Sequence, residues 1–319
     1  MENKNIWLTY SAEEKEELHK ICELYKSWLD KGKTERECVE LAVELAEKAG
    51  YHNLEEYLSE ERQIQKGEKI YAVCMKKCIV LFRMGAEPIS AGMNILGAHI
   101  DSPRIDIKQN PLYEKDDFTY LDTHYYGGIK KYQWVTQPLA LHGVVVKKDG
   151  SCVNISIGER EDEPVFVITD LLVHLASKQL EKKAGEVIEG EKLDILVGNC
   201  PIERDENLKE ERETVKANVL KILEEAYGIS EEDFASAELE IVPSGKARDI
   251  GFDRSMILAY GQDDRICAFT SIMAMLSVED SSRTACCLLV DKEEIGSVGA
   301  TGMHSRFFEN MVACLLYTS

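Results

Sequence analysis

Three observations predict an α/β fold class. The first 60 residues carry apolar side chains at helical spacing. Short, almost wholly apolar runs follow from about Lys69 and again after residue 236, as expected of buried strands. A helix-patterned segment, GQDDRICAFTSIMAML, precedes the last of those runs, TACCLLVD.

Each element has a local cause. Ser11 followed by Glu14 forms a capping box, and Leu18, Ile21, Cys22, Leu24 and Tyr25 continue at helical spacing. Thr34 and Glu37 repeat the device before Val39, Leu41, Ala42, Leu45 and Ala46, and Gly50 stops that helix. IYAVCM and CIVLF, parted by two lysines, predict a hairpin. MNILGAHID is nearly all apolar and predicts a strand covered on both faces. From about 101 to 235 the character changes. HGVVVKKDGSCVNISIG predicts a second hairpin across Lys-Asp-Gly. PVFVITDLLVHLASKQL reads as an apolar run and then a helix. Glu203 to Glu225 reads as a charged helix striped by Val215, Val219, Ile222 and Leu223. AELEIVP and MILAY are short strands, and KEEIGSVGATG is a glycine-rich turn after the buried TACCLLVD.

A length of 319 residues suggests about two domains. The balance of 38 basic against 58 acidic residues leaves a net charge of −20, which disfavours nucleic acid and anionic membranes as partners. No run approaches the roughly 20 apolar residues of a membrane span, and the N-terminus lacks the apolar core of a signal peptide. Ten cysteines without framework spacing predict reduced thiols and a cytoplasmic location. Cys286 and Cys287 should point to opposite faces of one strand. CMKKC is half a zinc site without a second half, so buried free thiols are expected at Cys74 and Cys78.

Three motifs carry chemistry. GAHIDSPR holds His99, an imidazole suited to zinc-like metals, with Asp101 spaced to orient it. GQDDR holds Asp263 and Asp264, which alone would be an ordinary acidic helix start. DKEEIGS holds Glu293 and Glu294 just past a buried strand, where ligands collect in open α/β sheets. Together they have the parts of a dinuclear metal site: Asp263 to bridge, His99 and Glu294 as terminal ligands, and Glu293 left as general base.

In that order, GAHIDSPR, GQDDR and DKEEIGS resemble the aspartyl aminopeptidase family of dinuclear zinc exopeptidases. YYGGIKKYQW and the helical N-terminal region suit the same family, and the resemblance runs to about Glu309. It implies a zinc-exopeptidase-like mixed sheet flanked by helices over 1–100 and 236–319. It implies an inserted β-rich oligomerisation domain over 101–235 that partly covers the active site. His99 would bind one zinc, Asp263 bridge two, Glu294 bind the other, Glu293 act as base and Asp101 support His99. Manganese or cobalt are alternatives to zinc. The implied assembly is a dimer-based closed homo-oligomer, commonly a dodecamer, and the implied reaction removes an N-terminal residue, Asp or Glu, from peptides.

The family pattern also implies an acidic ligand and a late histidine beyond Ser319, so a C-terminal truncation is expected. The alternatives to an aminopeptidase are a catalytically incomplete fragment or scaffold subunit, and a different dinuclear metallohydrolase. An acidic substrate calls for a local cation, and Lys130, Lys131, Arg104 and Arg265 are the candidates; each is otherwise a surface or ion-paired charge. His174, in LLVHLA, is a candidate to reach a neighbouring subunit's site, or else a core histidine on an apolar helix face.

Overall fold

The computed structural model describes residues 5–202 and 213–318. In chain order, α1 (Ala12–Lys31) and α2 (Glu35–Lys48) precede the two-residue β1 (His52–Asn53), the short α3 (Leu54–Ser59), β2 (Lys69–Cys74), β3 (Cys78–Arg83) and β4 (Met93–His99). Next come β5 (Arg104–Lys115), β6 (Phe118–Tyr126), β7 (Leu139–Val146), β8 (Cys152–Ile157), α4 (Ser177–Leu180), β9 (Ile195–Gly198), α5 (Thr214–Tyr227) and β10 (Ala237–Pro243). The last are β11 (Arg248–Ile250), β12 (Met256–Leu258), α6 (Gln262–Ser277), β13 (Thr284–Val290) and α7 (Phe307–Thr318). The chain divides into two compact units, Met1–Ser102 with Lys246–Ser319, and Pro103–Gly245.

In the first unit both capping boxes form. Ser11 Oγ accepts from Glu14 N at 3.2 Å and Ser11 N donates to Glu14 at 2.8 Å. Thr34 and Glu37 do the same at 3.3 and 2.8 Å. The sheet runs β1-β2-β3-β13-β4, with β13 antiparallel to β3 and parallel to β4. Side chains on a strand alternate between faces, and β13 divides the core accordingly. Cys287 and Leu289 pack with Trp28, Leu29, Ala42, Phe269 and Ile272 from α1, α2 and α6. Cys286 and Leu288 pack on the other face with Leu54, Tyr57, Ile64 and Leu315. All ten cysteines are free thiols; Cys78 is buried and Cys74 half-buried.

The expectation that MNILGAHID is covered on both faces is corrected. β4 is the outer strand of its sheet among the described residues, and Asn94 to Gly97 are exposed. An apolar run cannot distinguish a doubly covered strand from an edge. The start of α6 also departs from a plain helix. Asp263 and Asp264 have non-helical dihedrals and are joined by a cis peptide.

The second unit is built on a six-stranded antiparallel sheet, β8-β7-β10-β5-β6-β9. AELEIVP therefore belongs here, paired along its length with β7, rather than beyond a boundary at 235. The β5–β6 register slips between Ile107 and Leu112, at Pro111, which has no N–H for the ladder. The hairpin across Lys-Asp-Gly forms as expected, with Gly150 at φ +85°. LLVHLASKQL is corrected: only Ser177–Leu180 is helical, and Leu171 to Leu175 are exposed, His174 included. Local bonds hold that run, with Asp170 accepting from Leu171 N and Leu175 N donating to Leu172 O. The charged helix is described from Thr214; its expected start at Glu203 lies outside the described residues. No helix among the described residues is long and apolar enough to cross a membrane.

Candidate metal centre

The site assembles where two parallel strands end. His99 closes β4, and its register partner is Val290, the last residue of β13. The chain after each strand leaves the sheet at the same edge, so Asp101 and the Glu293–Glu294 pair become neighbours despite their separation in sequence. This is the carboxyl end of parallel strands, where open α/β sheets place chemistry.

Asp101 organises both segments. It is fully buried. Its carboxylate lies 3.3 Å from His99 Nδ1, and its main-chain oxygen lies 3.0 Å from the same nitrogen. Its two carboxylate oxygens also accept the backbone N–H groups of Glu293 and Glu294, each at 3.2 Å. With Nδ1 engaged in this way, His99 Nε2 is left to face a ligand. Asp101 thus acts on the ring and on the glutamate backbone together, as a positioning group.

Asp263 lies in the non-helical first turn of α6. Ser102 Oγ donates to Asp263 O at 2.9 Å, tying the first motif to the second. Arg265 completes the tie: its guanidinium, buried, donates to Ile100 O at 3.2 Å and Lys33 O at 2.8 Å. Gly261, at φ +78°, makes this fold-back possible, since a Cβ there would lie 2.2 Å from Arg265 Nη1.

The result is a convergent donor set. His99, Asp263 and Glu294 each offer a ligand atom, and these atoms all lie within 4.8 Å of one another. Asp263 Oδ1 is 3.2 Å from His99 Nε2. Glu293 Oε2 stands 3.7 Å from the same nitrogen on a side chain 56 % exposed. One nitrogen and two carboxylates are a donor set that zinc takes. Four carboxylates around one imidazole leave an excess of negative charge for a cation to balance. Burial lowers the His99 pKa, but the hydrogen bonds and charge of Asp101, with the charge of Glu293, outweigh it and carry it up to about 9. Burial raises the pKa of Glu294; His99 opposes the shift, and Asp263, Asp101 and Glu293 reinforce it.

The cation candidates are placed differently. Arg265 is corrected from a substrate contact to an internal brace, because its guanidinium is turned into the protein and bonded to main-chain carbonyls. Arg104 is also buried, ion-paired to Asp106 and Glu240 at 2.8 and 3.1 Å. Lys130 and His174 are exposed side chains of the second unit, as distinct from the unit that holds His99. Reading by motif missed Ser102, whose role is a single hydroxyl contact. It also missed the reach of Asp101 to the two glutamates, which spacing cannot reveal.

The chain is similar to known proteins along most of its length. The family model described as aminopeptidase I zinc metalloprotease (M18) matches residues 28–318. A probable M18 family aminopeptidase 1 from Clostridium acetobutylicum is 56 % identical over 315 residues, covering 99 % of this chain and 67 % of that protein. The crystal structure of an M18 family aminopeptidase from Thermotoga maritima superposes with a TM-score of 0.91 at 42 % identity, covering 99 % of this chain and 67 % of the other. The S. cerevisiae mApe1 dodecamer shares the fold, with a TM-score of 0.71 at 19 % identity over 93 % of this chain and 66 % of that one. Three motifs that converge on one donor set, and a family match across most of the chain, lead to one assignment: the chain belongs to the aminopeptidase I zinc metalloprotease (M18) family, whose members are metal-dependent hydrolases.

Proposed function

We propose that this M18 metallopeptidase removes the N-terminal residue of peptides, with His99, Asp263 and Glu294 as metal ligands and Glu293 as general base. The observation that carries this reading is the division of labour between adjacent glutamates. Glu294 offers a ligand atom to the His99–Asp263 set, while the Glu293 carboxylate stays exposed 3.7 Å from His99 Nε2. Zinc, when bound, supplies Lewis acidity and makes water acidic enough to lose a proton near neutral pH. Glu293 accepts that proton and returns it to the leaving amine. Asp101 keeps the His99 ring and the glutamate backbone in register through the step.

Asp263 would serve two zinc ions together with His99 and Glu294, and manganese or cobalt could take their place. The preferred substrates are peptides beginning with Asp or Glu, with Lys130 and His174 as the contacts to test. Homo-oligomerisation, built from dimers and reaching a dodecamer, is supported by the exposed apolar run at Leu171, Leu172, Val173 and Leu175, a surface of the kind that partners cover. The proposed location is the cytoplasm, in keeping with the free thiols.

The test is a panel of N-terminal aminoacyl substrates with zinc, manganese or cobalt, run with two variants. Glu293→Gln should keep the metal and lose turnover by about 10²–10⁴-fold. Glu294→Ala should lose metal. Parental turnover in Glu293→Gln would overturn the assignment of the base.

A further inference from the structure

We propose that Asp291 and Thr301 form a clamp that positions Glu293 and Glu294, acting through the backbone of the turn that carries them. This rests on the metal-site reading above and adds to it two residues that touch neither metal nor substrate. Asp291 is the first residue after β13 and is fully buried. One carboxylate oxygen accepts from Lys292 N at 2.8 Å. The other accepts from Thr301 Oγ1 at 2.6 Å. Asp291 N also donates to Thr301 O at 3.4 Å. Side chain and main chain together therefore close the turn at its two ends.

The turn depends on that closure. Lys292, Gly296, Ser297 and Gly299 all have positive φ. Ser297 N donates to Lys292 O at 2.6 Å and Gly296 N to Glu293 O at 2.9 Å. Gly302 lies so close behind that a Cβ would sit 2.3 Å from Ser297 O. A backbone held in this way fixes the points from which the two glutamates project. Asp101 fixes their N–H groups from one side, and the clamp fixes the ends of the turn from the other. Lys292 Nζ lies 3.7 Å from Asp291, and the charge of Glu35, itself ion-paired to buried Lys77 at 2.9 Å, acts on Asp291 against the two lysines. Hydrogen bonds to a buried carboxylate are strong and directional, so loss of one moves the turn.

Zinc affinity reads the proposal without turnover. Thr301→Val removes only the hydroxyl, and zinc binding, measured by competition with a chromophoric chelator, should weaken about tenfold, as for other groups that orient ligands. Thr301→Ser restores the hydroxyl but loses a buried methyl, so it should bind zinc like the parent even where its melting temperature falls. A role confined to packing predicts the reverse order. Asp291→Asn, measured with amide exchange at Lys292 and Gly296, is the second variant should Thr301→Val not fold; it should weaken zinc and speed exchange at both amides. Glu294→Ala separates the two claims. If it loses zinc while Thr301→Val and Asp291→Asn bind like the parent, the clamp is wrong. If Glu294→Ala itself binds like the parent, the metal-site reading fails and the clamp falls with it.

Discussion

Two buried charge clusters, one around His99 in the first unit and one around Arg104 in the second, are held in different ways. In the second, Arg104 pairs with Asp106 and Glu240 and stacks 3.8 Å over the Tyr126 ring, and His142 meets Glu159 at 3.1 Å. Arg104 and His142 thus set side-chain bases against acids in that sheet, with Asp106 and Glu240 sharing one guanidinium. In the first, Asp101 and Asp291 are just as buried, but their main partners are backbone N–H groups and a hydroxyl. Around His99 four carboxylates outnumber one imidazole. Side-chain pairs close a site electrostatically, whereas acids held by main-chain donors keep a surplus of negative charge that a cation can use. The same residue types are thus held in two ways, by a side-chain cation around Arg104 and largely by main-chain donors at Asp101 and Asp291.

That contrast can be broken from either side. The largest effect is expected from Arg104→Met, which leaves Glu240 buried without its cation. Denaturant unfolding should show a loss of about 3–5 kcal/mol, while zinc affinity stays at the parental value. A parallel fall in zinc affinity would erase the distinction between the units.

Asp101→Ala should do the opposite. Zinc affinity is expected to fall about 10–100-fold through loss of ring and backbone orientation, with the second unit's amide protection unchanged. Chelator competition and hydrogen exchange check both halves.

The smallest effect sharpens the comparison through pH. His99 holds its proton more tightly folded than unfolded, with its pKa raised from 6.5 to about 9 in the metal-free protein. Metal must displace that proton, so zinc affinity should rise about tenfold per pH unit up to about 9 and then level. The sign for metal-free stability is opposite. The contribution of the proton is complete below pH 6.5 and is lost as pH rises through about 9. A flat zinc affinity from pH 7 to 9 would show that His99 is not the competed ligand.

Much of this was legible locally. Capping boxes at Ser11 and Thr34 depend on residues three apart, and both formed. Cys286 and Cys287 divide between faces because alternation is a property of any strand. The departures have two causes. MNILGAHID became an edge, LLVHLASKQL stayed mostly non-helical, and Asp263 left the helix it was expected to open. The pairing of β4 and the placing of Asp263 rest on neighbours distant in sequence, whereas local bonds hold Leu171 to Leu175.

The sequence by itself singled out His99, Asp101, Asp263, Glu293 and Glu294 as candidates, since imidazole and carboxylate at strand and helix ends are marked by type and spacing. Tertiary structure alone decided how they are held. The pairing of Val290 with His99, the reach of Asp101 to two backbone amides, and the turning inward of Arg265 all join residues remote in sequence. Hydrogen bonds act over about 3 Å, and only the folded chain brings those atoms within that distance.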